Sequence, residues 1–306
     1  MLPDILTYAK QNLTTFEKGS VSSNEIRFFE YDGKKYVLKK PLMTGNNLSP
    51  FWLMMKNLFN FTFEKQITVL PEVYNVLKEN PHIQVSPFIT ADESAMIFAY
   101  EEGQSWDNDN FPRGQNNAYK LGQFVGFNHQ INHKNCGLFG IEDVTDFYER
   151  ALAHMESCIS EHWNSDNETD KKMQAIFEKL KARYSTPKNI HHNPNHNTHN
   201  FAIQRNSLIM IDICADQFLY DNENIRACVD LDAYVIGPVE WELCFLHNQI
   251  EDWDSFKAGY ETYQKLPPFE AQSQFFYFLM ALNSYRNKKE IEDFWETYFE
   301  SYQSLI

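Results

Sequence analysis

Residues 227–246, ACVDLDAYVIGPVEWELCFL, carry more information about the fold than any other stretch of this chain. An apolar run ends in one acid, Asp230, and a second acid follows at Asp232. A carboxylate at the end of a buried strand is a frequent Mg²⁺ ligand, because hard oxygen ligands must converge from rigid elements. The Gly-Pro pair at 237–238 predicts a turn, after which Glu242 enters an apolar helix.

Composition and charge restrict the possible partners. The chain has 306 residues, 43% of them hydrophobic and 15% aromatic, which is typical of a packed globular protein with one large domain or two modest ones. Its formal net charge of -15 argues against nucleic acid or an anionic membrane as partner, because both repel a negative surface. The charge is compatible with a small cationic partner.

The cysteines and the apolar segments predict a cytoplasmic protein. The five cysteines are odd in number and form no CxxC pair, so we interpret them as reduced thiols. The N-terminus, MLPDILTYAKQNL, lacks the basic region of a signal peptide. The longest apolar stretch, residues 51–63, is too short and too polar to span a bilayer.

Hydrophobic periodicity divides the chain into a β-rich first part, residues 1–103, and a mainly helical second part, residues 104–306. The first part is predicted to contain a helix at 3–12, the strands TTFEKG, EIRFFEYD and KKYVLKKP with a hairpin at Asp32-Gly33, a helix at 62–80 kinked or broken at Pro71, and a strand at 96–103. The second part is predicted to contain helices within 116–133, 144–163, 170–184, 269–285 and 290–305, with the short strands NFAIQ, SLIMIDI and IRACVDLDA between them.

Two features of the first part suit phosphate binding. The turn that contains Gly19, Ser20 and Ser22 would expose backbone N–H groups to phosphate oxygens. Lys39, in the apolar run YVLK, could point inward as a charge for phosphates, and Glu64 is placed to hold that lysine from the following helix. Each feature also has an ordinary explanation, namely a surface lysine on a hairpin and an acid that favours a helix N-terminus.

The order of these parts resembles the aminoglycoside phosphotransferase and choline-kinase-like group, small-molecule kinases with a protein-kinase-like fold. The matching stretches cover nearly the whole chain in order: GSVSSN, YVLK, MIFAYEEGQSW as the hinge, the loop before NFAI, and VDLDAYVIGPVEWEL. The resemblance implies a two-lobed α+β fold with a small β-rich N-lobe and a larger, mainly helical C-lobe. It also implies ATP or GTP between the lobes, with Mg²⁺, and a nucleobase near Tyr100.

The resemblance places a catalytic loop of pattern H-x-D-x-x-x-x-N within residues 191–203, HHNPNHNTHNFAI. Asn200 matches the metal-binding Asn, but Asn195 stands where the catalytic Asp is expected, and no register supplies an acid. An amide can orient a hydroxyl but cannot accept its proton, so a weak activity could survive through positioning alone, or His192 or His196 could supply the base.

Two functions follow from this departure. The first is an ATP-dependent phosphotransferase acting on a small hydroxylated, cationic molecule. The second is a pseudokinase that binds nucleotide or acts as a scaffold without transfer.

The metal-binding Asp has two candidates. Asp212 has the family's spacing from Asn200, whereas Asp230 alone precedes GPVEWEL. We favour Asp230 and interpret SLIMIDICADQFLYDNEN as an inserted or extended hairpin, with Asp212 as the alternate.

Other polar clusters allow further interpretations. The four histidines at 191, 192, 196 and 199 could bind zinc, but they have no cysteine partner, and the loop could also be merely polar. His129 and His133 lie one helical turn apart without an HExxH pattern, so one of them is expected to be a packed structural histidine. Nine acids and a single base within 141–170 indicate either a solvated helical face or a cleft for a cationic substrate.

Overall fold

The computed structural model describes residues 4–11, 24–42, 48–106, 110–185 and 205–284. Within them, a small sheet-based part precedes a larger, mainly helical part that contains two further small sheets. The α+β class is therefore confirmed. The predicted strands TTFEKG and NFAIQ, and the helix predicted at 290–305, lie outside the described residues.

The first part is built on a four-stranded antiparallel sheet. In spatial order its strands are β1 (Asn24–Tyr31), β2 (Lys34–Pro41), β5 (Ala95–Ala99) and β4 (Phe88–Asp92). The helices of this part are α1 (Ile5–Gln11), α2 (Pro50–Phe59) and α3 (Phe63–Leu77), and a two-residue strand, β3 (Gln84–Val85), follows α3.

The predicted hairpin between β1 and β2 is confirmed. Asp32 and Gly33 both have positive φ angles, 50° and 69°, and Tyr31 pairs with Lys34 across the turn. Two positive φ angles at the turn positions match the right-handed twist of the strands, and Asp-Gly tolerates them well. The hairpin fixes the register of β2 and therefore the direction in which each of its side chains points.

The two faces of this sheet have different neighbours. Phe29, Leu38 and Ile97 lie on one face and pack with Ala9 of α1. Directly paired residues point to the same side, so Ile26 and its partner Lys39 lie on the opposite face. That face is directed at the second part of the chain, where Lys39 has its ion-pair partners.

Helix α2 was not predicted from the sequence, whereas the helix predicted at 62–80 is present as α3. Residues 51–59, noted from the sequence only as apolar, belong to α2, which Ser49 caps by accepting a hydrogen bond from the Trp52 N–H. The α3 helix continues through Pro71 to Leu77 and is not broken there. Thr62 caps α3 by accepting from the Lys65 N–H, and the buried face of the helix sustains it on both sides of the proline.

Six helices of the second part lie among the described residues. They are α4 (Gln115–Asn128), α5 (Phe147–His162), α6 (Glu168–Tyr184), α7 (Val239–Gln249), α8 (Trp253–Tyr260) and α9 (Glu270–Ser284). Glycines bring α4 and α8 close together: a Cβ on Gly122 would lie 2.1 Å from the Phe256 carbonyl oxygen, and one on Gly259 would lie 2.0 Å from that of Tyr119. Only glycine permits backbones to approach this closely.

The second part contains two small sheets. One has the order β7 (Ile141–Val144), β6 (Cys136–Leu138), β11 (Tyr234–Pro238) and β8 (Asn206–Met210). The other joins β3 to the hairpin formed by β10 (Asn224–Cys228) and β9 (Phe218–Asp221). A short 3₁₀ helix, Ala215–Gln217, leads into β9.

The turn predicted at Gly237 and Pro238 is wrong. Both residues belong to β11, where they pair with Ser207 and Asn206, and α7 begins directly after them. Gly237 is needed for close packing, since a Cβ there would lie 2.8 Å from the Ile209 side chain. Pro238 is the last residue of β11 and directly precedes α7.

A continuous hydrophobic core joins the two parts and includes Phe59 of α2, Leu70 of α3 and Trp241 of α7. The five cysteines are free thiols, as expected. No helix in the described part of the chain is long and apolar enough to cross a membrane.

Candidate active site

Lys39 of β2 forms the centre of a buried charge cluster. The residue is 7% exposed, and its Nζ lies 2.5 Å from Asp230 Oδ1 and 3.0 Å from Asp232 Oδ1. Asp230 follows β10, and Asp232 precedes β11, so one short loop supplies both acids. Asn24, at the start of β1, donates from Nδ2 to Asp232 Oδ2 at 2.7 Å.

A third acid, Asp212, belongs to the same cluster. It follows the end of β8, which pairs with β11 so that Met210 lies opposite Tyr234. Asp212 lies two residues after Met210, and Asp232 lies two residues before Tyr234. Because the strands are antiparallel, the two acids lie on the same side of this pair, and their charges interact. The Oδ1 atom of Asp212 is buried and has no hydrogen-bond partner.

The segment from Asp212 to Gln217 was not recognised from the sequence as a candidate catalytic loop, although Asp212 was named as an alternate metal ligand. It reads D-x-x-x-x-Q, and Gln217 is separated from Asp230 by the β9–β10 hairpin. The expectation of one inserted hairpin, SLIMIDICADQFLYDNEN, is wrong: β8 pairs with β11, whereas β9 pairs with β10. The spacing from Gln217 to Asp230 could be read from the sequence. The strand pairing that brings Asp212 to the cluster could not.

The three acids differ in pKa, because their burial and their neighbouring charges differ. Burial and the Asp232 charge raise the pKa of Asp212 to about 7. Burial and the same neighbour raise the pKa of Asp230 well above its ordinary value. Burial alone would raise the pKa of Asp232 too, but the Lys39 ammonium and hydrogen bonds, including that from Asn24, hold it below its usual range.

Helix α7 holds the backbone on both sides of Asp212. Glu242 Oε1 accepts from the Met210 N–H at 2.8 Å, Trp241 Nε1 donates to the Ile211 carbonyl at 3.0 Å, and Gln249 Nε2 donates to the Ile213 carbonyl at 3.0 Å. These three side chains fix the position of the loop from behind, in a region that is almost wholly buried.

Behind this contact lies a second buried polar group. The His129 ring, which is 0% exposed, contacts Glu242 Oε2 through Nε2 at 2.7 Å and the Tyr260 hydroxyl through Nδ1 at 3.0 Å. The expectation of a packed structural histidine is confirmed for His129. His133 lies apart from it, 3.4 Å from Glu142.

The partner expected for Lys39 requires correction. Glu64 lies in the first turn of α3 as predicted, but its side chain is exposed, and the acids that contact Lys39 are Asp230 and Asp232. The physical reason is the phase of the helix: Phe63, Gln66 and Ile67 form its buried face, which turns Glu64 toward solvent.

Comparison with known proteins identifies the fold. No family model matches the sequence, and no curated protein matches it. A microcompartment-associated aminopropanol kinase superposes with a TM-score of 0.60 at 14% identity, over 94% of this chain and 92% of that one. The macrolide 2'-phosphotransferase MphH from Brachybacterium faecium gives a TM-score of 0.56 at 15% identity, over 91% of this chain and 89% of that one.

The chain has the two-lobed fold of the kinase-like phosphotransferases. The choline kinase LicA from Streptococcus pneumoniae is also similar, with a TM-score of 0.54 at 12% identity, over 90% of this chain and 86% of that one. The resemblance seen in the sequence is thus confirmed at the level of the fold. The first part of the chain is the N-lobe and the second part is the C-lobe, and the charge cluster lies between the N-lobe sheet and the C-lobe loops.

An apolar strip leads along the N-lobe sheet toward Tyr100. Ile26 and Phe28 are 40% and 36% exposed, and both lie on the face of the sheet that carries Lys39. Tyr100, 37% exposed, packs edge-on against Phe28 with ring centroids 5.7 Å apart. The backbone just beyond it, at Gln104, is held by paired hydrogen bonds to Tyr220 of β9.

The donor atoms of the cluster fit Mg²⁺. Among the described residues, no group of three or more His, Cys, Asp or Glu side chains is arranged to hold a metal by itself. Mg²⁺ does not require such a cage, because it is commonly bound by one or two carboxylates together with phosphates and water. Asp230, with 27% of its side chain exposed, and Gln217, whose backbone carbonyl accepts from the Val229 N–H at 3.0 Å, carry side-chain oxygens of this kind.

The acidic stretch at 141–170 divides between structural and exposed groups. Asp170 is buried and accepts hydrogen bonds from Ser165 N and Oγ, so it stabilises the start of α6. Asp146 pairs with Arg150, and Glu156 pairs with Lys181. Asp143, Glu161, Asp166 and Glu168 are exposed.

Seven of the residues proposed from the sequence lie outside the described residues. They are Gly19, Ser20, Ser22, His192, Asn195, His196 and Asn200. The zinc interpretation of the four loop histidines falls in the same segment.

Proposed function

We propose that this chain is a phosphotransferase that uses ATP or GTP with Mg²⁺ to phosphorylate a hydroxyl group of a small cationic molecule. The observation that carries the proposal is the position of Asp212 beside the Lys39, Asp230 and Asp232 cluster, between the lobes of a kinase-like fold. These are the residue types, at the appropriate ends of strands, that phosphoryl transfer requires.

Each residue of the cluster has a proposed role. Lys39 binds the nucleotide phosphates as a fixed positive charge, aided by the backbone near Gly19, Ser20 and Ser22. Asp230 and Gln217 would hold Mg²⁺, which would neutralise charge on the phosphates. The strip formed by Ile26, Phe28 and Tyr100 supplies an apolar surface for the nucleobase.

Asp212 is proposed to orient the substrate hydroxyl and accept its proton. Its pKa of about 7 suits a base that works near neutrality, and its unpartnered oxygen is available for a hydrogen bond. The three contacts from α7 keep this carboxylate in place, so little reorganisation is required at the moment of transfer. This role replaces the one assigned from the sequence to Asn195, with His192 or His196 as base and Asn200 on the metal.

A cationic substrate is supported by charge. The chain carries a formal charge of -15, and the region of β7, α5 and α6 presents exposed acids. Solved structures of the same fold include an aminopropanol kinase and a complex of an aminoglycoside phosphotransferase with gentamicin. The pseudokinase alternative rested on the absence of an acid in residues 191–203, and the role proposed for Asp212 supplies an acid from another loop.

Nucleotide binding tests the proposal without knowledge of the substrate. We expect ATP or GTP with Mg²⁺ to raise the melting temperature of the wild-type chain, by an amount that grows with RT ln(1 + [L]/Kd). Lys39→Ala should abolish the rise. Lys40→Ala is the matched control, because the neighbouring Lys40 lies on the opposite face of β2 and is exposed.

Lys39→Arg keeps a charge between the acids if Lys39→Ala proves too unstable to measure. Arg should retain the fold but position its charge differently, so it should weaken the nucleotide-induced rise. No rise with either nucleotide in the wild-type chain would refute the phosphotransferase proposal and leave a kinase-shaped scaffold.

A further inference from the structure

The two acids that contact Lys39 are not equivalent. Asp230 keeps 27% of its side chain exposed, whereas Asp232 keeps 3%. Asp232 is also tied to a third group, because its Oδ2 accepts the hydrogen bond from Asn24 Nδ2 while its Oδ1 faces Lys39. A carboxylate bound at both oxygens and shielded from water has little freedom to turn, whereas Asp230 can reorient toward solvent or toward a metal.

Helix α3 does not provide an alternative anchor for Lys39. Its acids are Glu64 and Glu72, and both are exposed. Glu72 lies beside Gly140 of the C-lobe, where a Cβ would come within 3.0 Å of its Oε2. Among the described residues, the ion-pair partners of Lys39 come only from the loop between β10 and β11.

We propose that Asp232 is the positioning residue of the nucleotide site: it keeps Lys39 aligned while Asp230 turns to the metal. The inference rests on the proposed function. Asn24 extends the same contact to β1, so a single carboxylate of the C-lobe joins two neighbouring strands of the N-lobe. The alignment of Lys39 then depends on the loop at 230–232 and not on the position of α3.

The sign of one affinity change distinguishes this role from a purely electrostatic one. If Asp232 only added negative charge near the phosphates, its neutralisation would tighten nucleotide binding. If Asp232 positions Lys39, its neutralisation lets the ammonium move to Asp230 alone and weakens binding. Asp232→Asn is a suitable change, because it preserves the shape of the side chain while removing its charge.

The experiment is calorimetric titration of ADP, with and without Mg²⁺, into the full-length chain and three variants. We expect Asp232→Asn to raise the Kd of ADP about tenfold under both conditions, the loss of one aligned charged contact. Asp230→Asn should raise the Kd only when Mg²⁺ is present. Glu64→Gln is the control for an anchor on α3 and should bind like the wild type.

Tighter or unchanged ADP binding by Asp232→Asn would overturn the inference, as would weaker binding by Glu64→Gln. A loss confined to the Mg²⁺ titration would make Asp232 a metal ligand instead. Asn24→Ala provides a second variant that leaves the charges intact; it should weaken ADP binding in both conditions, and unchanged binding would refute the tether to β1. Failure of the wild-type chain to bind ADP would instead refute the proposed function, so the two failures are distinguishable.

Discussion

Two buried polar groups lie on either side of the Asp212 loop, and they differ in their balance of charge. In front, three carboxylates share one ammonium, that of Lys39, and an oxygen of Asp212 has no partner. Behind, Glu242 uses one oxygen for the Met210 N–H and the other for the His129 ring. Behind the loop both oxygens of Glu242 therefore have partners, whereas the group in front carries surplus negative charge.

This difference separates a binding site from a structural support. Buried polar groups are normally satisfied, so an unsatisfied one needs a specific explanation. A divalent cation and a substrate hydroxyl would supply what the front group lacks. Glu242 at the rear has a partner at each oxygen, and these contacts indicate a role in holding the loop. Variants on the two sides should accordingly affect different measurements.

The largest effect is expected at the front. Asp212→Asn should lower the rate of phosphoryl transfer by about 10²- to 10⁴-fold, the usual contribution of a general base, while the Kd of the nucleotide changes little. The rate is measured as substrate-dependent release of nucleoside diphosphate across a panel of amino sugars and amino alcohols. Asp216→Asn, an exposed acid of the same loop, is the matched control.

Retention of the wild-type rate by Asp212→Asn would place the base elsewhere. Asn195→Asp distinguishes the two loops, because a large gain in rate from that change would assign the base to residues 191–203.

The rear group should affect stability. Glu242→Ala leaves the Met210 N–H and the His129 ring without their partner in a dry interior, and we expect it to lower the free energy of unfolding by about 3–5 kcal/mol. Denaturant titration measures the loss. Glu251→Ala, which breaks the exposed pair with Arg113, should cost less than about 1 kcal/mol. An equal loss in the free energy of unfolding for Glu242→Ala and Glu251→Ala would show that Glu242 supports the fold no more than an exposed ion pair does.

A smaller effect on stability, of opposite sign, is expected at Glu240, which lies in the first turn of α7. It is 3% exposed, its Oε2 has no hydrogen-bond partner, and burial raises its pKa from 4.5 to about 7. The folded chain therefore holds this proton more tightly than the unfolded chain. The resulting stability is fully present below pH 4.5 and is lost as pH rises through about 7.

Glu240→Gln should remove that loss. At pH 8 we expect the variant to be more stable than the wild type by up to about 3 kcal/mol, and near pH 4.5 the two should be similar. Melting temperatures across this pH range provide the measurement. Parallel curves for the two proteins would show that the carboxyl group does not titrate in this way.

The sequence predicted the local parts of the site better than their assembly. The Asp32-Gly33 hairpin, the inward Lys39 and the strand that leads to Asp230 all follow from short-range patterns. The place of Asp212 does not, because it depends on the pairing of β8 with β11 across a hairpin that belongs to another sheet. In the sequence, Asp212 and Asp230 look alike, because each is an acid that follows an apolar run.

Two of the errors near the site have similar causes. Glu64 was assigned to Lys39 from its position at a helix start, but the phase of that helix is set by core packing around Phe63 and Ile67. Gly237 and Pro238 suggested a turn from composition, but the neighbouring Ile209 side chain makes the glycine a packing requirement within a strand. In both cases tertiary contacts outweighed a local preference.

The short parallel pairing of β3 with β10 has a consequence for synthesis and folding. Gln84 lies opposite Ala227, so the partner strand emerges from the ribosome about 140 residues later. Until then, the N-lobe cannot complete its contacts with the hairpin that leads to Asp230. We expect the first lobe to remain only partly protected from proteolysis on the nascent chain and to become resistant once β10 has been made.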